Sequence, residues 1–211
     1  MRILADIGEV GVHVEGAVYK LRPSLYAISQ LGTPKQIVEK FALLMHDFGV
    51  RADEQLMLAL EVVNLCACDD MPSIFGECEL FENKDKPLKY KDGLDIRFKA
   101  GRVSENDLLQ IARALMRHGV IGDVEPSRKR KKYAGEPNYL TEFVARDHVA
   151  TAVAHLGYSE EQAWDATMTA IVSALKAKYP SDPNSKESFS PPSVEEMRDT
   201  MKKMKLINAV R

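Results

Sequence analysis

The chain has 211 residues, 45% of them apolar, and carries 29 basic and 31 acidic side chains for a formal net charge of −2. A chain of this length buries about 70% of its unfolded surface and closes a core without disulfides or metal. The 28% charged fraction and mean hydropathy of −0.25 exclude a globally disordered chain, and the balanced charge excludes a strongly basic, nucleic-acid-coating protein.

No window reaches the ~18 to 20 consecutive apolar residues of a membrane helix. Asp6 and Glu9 break the first apolar run before a signal-peptide core forms, so a cytoplasmic protein is expected. Val10, Val12 and Val14 alternate with Gly11 and His13, Glu15-Gly16 offers a turn, and Val18–Leu21 resumes an extended pattern, which predicts a β-hairpin. The period then changes to about 3.6. Arg22-Pro23-Ser24 starts a short helix through Leu25, Ile28 and Leu31, stopped by Gly32. Thr33-Pro34-Lys35-Gln36 combines an N-cap, Pro at the first helical position and Gln at the third. It opens a helix striped by Ile37, Val38, Phe41, Leu44, Met45 and Phe48 and closed by Gly49. Asp53 is placed to cap the next helix, through Leu56, Leu60, Val63 and Leu65.

Residues 69–101 read as irregular, with one extended piece around Leu94–Phe98. From Ser104 a helix shows Leu108, Ile111, Ala112, Leu115 and Met116 on one face and ends at His118-Gly119, before a loop over about 122–138. Thr141 opens a helix through Phe143, Val144, Ala152, Val153 and Leu156, ended by Gly157. Ser159-Glu-Glu-Gln162 is a second capping box; it starts a helix with Trp164, Met168, Ile171 and Leu175 on one stripe, ended by Pro180. Residues 181–192 have linker composition. A third capping box, Ser193-Val-Glu-Glu196, leads an amphipathic helix over 193–211 with Met197, Met201 and Met204 on one side. The predicted fold is mainly α: an N-terminal β-hairpin followed by a multi-helix bundle over residues 1–180, with a tethered C-terminal helix.

Charge is unevenly placed. Residues 1–75 carry 6 basic and 10 acidic side chains, residues 76–140 carry 14 and 11, and residues 141–211 carry 9 and 10. The middle excess comes largely from Arg128–Lys132, five like charges in a row that repel one another and favour a solvated loop. Only Tyr133 adjoins this run, so base stacking is not indicated.

The chemistry-bearing motifs are absent from the sequence: no Gly-rich phosphate loop, no H-E-x-x-H, no G-x-S-x-G and no EF-hand loop. His148 and His155 can share a helix face, but that spacing is common on helices. Cys66-Ala67-Cys68 is too tight for a zinc knuckle and reads as the apolar tail of a helix, with Cys66, Cys68 and Cys78 as buried, inert thiols. A metal-dependent alternative has to be assembled from Cys66, Cys68, Asp69, Asp70 and Cys78. No catalytic, cofactor or metal residue is assigned. The methionine-lined C-terminal segment is the better lead, because Met adapts to uneven apolar grooves, on its own domain, on a second copy or on a partner.

Two stretches carry a resemblance. Tyr19-Lys-Leu-Arg-Pro-Ser24-Leu-Tyr-Ala-Ile28, after the hairpin and before Gly32 and an amphipathic helix, resembles the start of the tail assembly chaperones of long-tailed bacteriophages. Leu156-Gly-Tyr-Ser-Glu-Glu-Gln-Ala-Trp164-Asp-Ala-Thr167 is similar to a helix-opening motif of the same proteins, a Ser-capped helix carrying Trp or Phe and then Thr. The middle, with Ala112-Arg-Ala-Leu-Met-Arg-His118-Gly119, resembles a related, uncharacterised group of phage tail-region proteins. Ala170 departs from the Glu often found three residues after that Thr, and the chain is longer than most of these chaperones. The resemblance implies a non-catalytic protein of the host cell cytoplasm, absent from the mature virion. Such a protein binds and solubilises the tape measure protein and assists tail-tube assembly. The alternative is a structural virion protein of the tail or head–tail junction. On the chaperone reading the partner-binding residues are Trp164, Met168, Met197, Met201 and Met204, the partners are the tape measure and tail tube proteins or a second copy, and no cofactor, membrane or nucleic acid is involved.

Overall fold

The computed structural model describes residues 2–4, 8–14, 16–46, 52–69, 73–82, 94–122 and 141–180. The basic run 128–132, the linker and the C-terminal segment with Met197, Met201 and Met204 lie outside the described residues, as do Phe48, Gly49 and Asp70. The chain is mainly α. Alternating side chains build its N-terminal sheet. Strands β1 (Arg2–Leu4), β2 (Glu9–Val14) and β3 (Ala17–Leu21) pair antiparallel in that order, with Val10 opposite Leu21 and Val12 opposite Tyr19. Val10 and Val12 are buried while His13 is exposed, the one-sided burial that period-2 patterning implies. The predicted hairpin carries a third strand, β1, whose three residues are too few to show a period.

Polar caps start most of the described α-helices, satisfying amides that have no partner inside the helix. Ser24 Oγ accepts from the Ala27 amide at 3.1 Å at the head of α1 (Leu25–Ser29). Thr33 and Gln36 form the predicted capping box of α2 (Pro34–Met45). Helix α3 (Ala52–Leu65) begins two residues earlier than expected, so Asp53 sits in its first turn beside the positive helix end and is not the cap. Ser104 caps α4 (Glu105–Met116), on which Leu108, Ile111, Ala112, Leu115 and Met116 are all buried as predicted. Helix α3 packs against both α2 and α4, which is why Leu56, Leu58, Ala59, Leu60, Val62 and Val63 are buried on more than one of its faces. Lys40 of α2 pairs with Glu61 of α3 at 2.7 Å.

Four predicted boundaries are corrected. The stretch 69–101 holds the extended piece at Leu94–Phe98, but this piece is half of a hairpin, β4 (Glu77–Glu82) with β5 (Leu94–Lys99). The period-2 alternation Leu94, Ile96, Phe98 is legible in β5, whereas in β4 Phe81-Glu82 breaks the alternation of Cys78 and Leu80. Glu79 pairs across the strands with Arg97 at 3.2 Å and with Lys99 at 2.7 Å. Helix α4 does not stop at His118-Gly119; it continues as a π-helical turn, Arg117–Ile121. The helix expected from Thr141 starts at Ala145 (α5, Ala145–Thr151), because the Phe143 amide donates to the Pro34 carbonyl at 3.0 Å while its ring fills the core. It continues as a second π-helical turn, Ala152–Leu156, and ends at Gly157 with φ 76°. The helix from Ser159 is two helices, α6 (Glu160–Asp165) and α7 (Met168–Lys178), because Ala166 is extended and Thr167 caps anew.

Candidate functional site

The break between α6 and α7 organises the site. Pro23 holds Arg22 extended, and the Arg22 amide donates to the Cys66 carbonyl at 2.6 Å while the Cys68 amide donates to Lys20 at 3.1 Å. On the other side the Leu25 amide donates to the Ala166 carbonyl at 2.9 Å, and Ser24 forms an antiparallel bridge with Thr167. Each bridged residue also caps a helix: Ser24 heads α1, and Thr167 Oγ1 accepts from the Ala170 amide at 3.1 Å to head α7. An unbroken helix 160–178 has no spare Ala166 carbonyl to offer, so the bridge and the break require each other.

Charge reinforces this seam. Glu9 is 3% exposed, with Arg22 Nε donating to one carboxylate oxygen at 2.6 Å and Lys20 Nζ to the other at 2.8 Å. Burial pushes the Glu9 carboxyl up, but the hydrogen bonds from Lys20 and Arg22 outweigh it and hold it below the usual carboxylate range. Arg22 also donates to Asp165, 143 residues away in the chain. One arginine thus ties strand β2 to the end of α6.

Outside the seam lies a groove of about 600 Å³ lined by Tyr26, Ser29, Gln30, Glu161, Trp164 and Asp165, with Ser24 at its base. Tyr26 is 59% exposed and stands edge-to-face with Trp164, ring centroids 6.5 Å apart at 87°. The indole is half-buried, where a continuous stripe with Met168 implies full burial. The helix break is the reason: it turns Met168 into the core at 6% exposure and leaves Trp164 on the groove wall. Of the residues assigned to partner binding, Trp164 therefore has surface to offer and Met168 is a core residue, while Met197, Met201 and Met204 lie outside the described residues. The sequence did not single out Tyr26, Glu161 or Asp165. An aromatic facing away from the Leu25–Ile28 stripe was the available signal for Tyr26; nothing local marks the Arg22–Asp165 pair.

A second groove, about 510 Å³, runs along α7 between Thr151, His155, Val172, Leu175, Lys176 and Tyr179 and holds no carboxylate. His148 and His155 are not brought together as ligands. His148 stacks on Phe143 at 5.0 Å, where burial lowers its pKa despite Asp147, and His155 meets Tyr179 edge-on at 5.8 Å. The expectation of three buried thiols holds for Cys66 alone, whose pKa burial pushes up to about 12. Cys68 and Cys78 are exposed, because α3 ends at Leu65 and Cys78 lies on β4. Among the described residues no three His, Cys, Asp or Glu side chains gather as a metal set, and no helix is long and apolar enough to cross a membrane.

Fold and groove together define a mainly α protein with an N-terminal antiparallel sheet and an aromatic surface groove at a two-segment seam. Residues 47–196 match a family of unknown function, DUF6246, and with most of its length inside that match the chain belongs to this family. No curated protein and no solved structure matches it.

Proposed function

We propose that the chain is a non-catalytic tail assembly chaperone of a long-tailed phage, which binds the tape measure protein in the host cytoplasm, keeps it soluble for tail-tube assembly and is then left out of the virion. One observation carries the proposal. The two stretches that resemble these chaperones, Tyr19–Ile28 and Leu156–Thr167, lie far apart in the sequence yet meet through the Ser24–Thr167 bridge, the Arg22–Asp165 pair and the Tyr26–Trp164 contact. Those contacts bring the two stretches to one exposed groove. An exposed tyrosine beside a half-buried tryptophan is the kind of anchor a helical partner uses. A tape measure chain, with a long apolar stripe, needs such cover. In this proposal the body of residues 1–180 is a hairpin joined to a helix bundle, and the tethered segment with Met197, Met201 and Met204 adds a second contact.

Co-expression with the cognate tape measure protein tests this. The tape measure should stay in the soluble fraction with the wild-type chain and pellet with Trp164→Ala. That variant should remain folded and lose roughly 1–2 kcal/mol in denaturant unfolding, less than the ~3–5 kcal/mol of a fully buried aromatic. Equal tape measure solubility with and without the chain overturns the proposal. Many copies in purified particles, by mass spectrometry, would replace it with the structural virion role.

A further inference from the structure

We infer that the Tyr26–Trp164 groove receives a lysine or arginine side chain carried on an amphipathic segment of its protein partner. The inference rests on the chaperone reading for the partner being a protein, and adds the chemistry of recognition. The two rings stand at 87° to each other, so the groove offers an aromatic face beside a ring edge. Ring faces are negative and attract cations, most strongly at indole. The lining contains two carboxylates, Glu161 and Asp165, and neither lysine nor arginine.

Charge in the seam behind the groove cancels: Glu9 and Asp165 are matched by Lys20 and Arg22. Glu161, with Glu160 beside it on the first turn of α6, is left as net negative charge at the groove. An anionic occupant meets that charge directly. A purely apolar one strips water from Glu161 and returns no partner for it. A lysine or arginine lays its methylene stem on the rings and its charged head against the carboxylate, which satisfies both parts of the surface. The hydroxyl of Ser29 and the amide of Gln30 supply further polar contacts along the rim.

Trp164 is the only tryptophan of the chain, so its emission reports on the groove directly. Three synthetic amphipathic helical peptides serve as probes with the full chain: one of Leu and Lys, one with Gln in place of Lys, and one with Glu. The Leu/Lys peptide should change Trp164 emission saturably, about tenfold more tightly than the Gln peptide, with no saturable change from the Glu peptide. Glu161→Gln should weaken the Lys peptide about three- to fivefold, and Tyr26→Ala about tenfold, with Tyr26→Phe restoring binding. Far-UV circular dichroism establishes that each variant is folded. Equal affinity for the Lys and Gln peptides, or unchanged Lys-peptide affinity in Glu161→Gln, overturns the inference. The two proposals fail separately. A tape measure protein solubilised equally by wild type and Glu161→Gln, without Lys-peptide selectivity, removes the cation and leaves the chaperone. Selective Lys-peptide binding with an insoluble tape measure removes the chaperone and leaves the groove.

Discussion

Glu9 is almost closed off from solvent and still charged, because Lys20 and Arg22 each give one of its oxygens a charge-assisted hydrogen bond. Its carboxyl therefore titrates below the ordinary value of 4.5 in the folded chain. A carboxyl depressed by folding contributes stability that is complete above the unfolded value and is lost as pH falls through the folded one. Urea unfolding of Glu9→Gln should accordingly show a loss of about 1–3 kcal/mol at neutral pH. Its stability should also vary less with pH than wild type between about pH 5 and pH 3; a wild-type slope retained in full would place the acid-sensitive group elsewhere. None of this was visible in the sequence, where Glu9 stands out only as an interruption of an apolar run. Pairing across a β-ladder and from the residue before a proline has no local signature.

At the scale of elements, the capping boxes and the Gly157 exit were legible, while the Asp53 and Thr141 starts and the His118-Gly119 exit were misplaced. Thr33-Pro34-x-Gln36 and Ser159-x-x-Gln162 announce α2 and α6, because an N-cap is a bond between neighbours three residues apart. Helix ends depend on what lies beyond. Gly119 reads as a stop, yet the chain coils on to Gly122, because Gly119 is where this turn presses on α1: a Cβ there would lie 2.7 Å from Ile28 Cδ1 and 3.0 Å from Pro23 Cβ. Ile28 is fully buried and has nowhere to retreat. Gly119→Ala should therefore destabilise by roughly 1–3 kcal/mol, against the gain that Ala brings to an unhindered helix. Ile28→Val combined with Gly119→Ala should recover part of that loss in a double-mutant cycle; strictly additive costs would show that the two residues do not press on each other. The split of the Ser159 helix has the same origin, since the Ala166 carbonyl is claimed by Leu25 from outside the segment.

For the whole molecule, every buried apolar side chain of the described core lies between Val10 and Ile171. Deletion of residues 181–211 should thus leave thermal unfolding of the remaining chain cooperative and, on the chaperone proposal, lower its affinity for the tape measure protein. Loss of cooperative unfolding would make the deleted segment part of the core. The mainly α class, the N-terminal hairpin, the caps and the stripe of α4 follow from the sequence alone, because each depends on residues within a turn or a strand pair of one another. The seam and its groove do not. Arg22 with Asp165, Ser24 with Thr167 and Tyr26 with Trp164 join segments that periodicity treats as independent, and only their packing turns Met168 inward and leaves Trp164 at the surface.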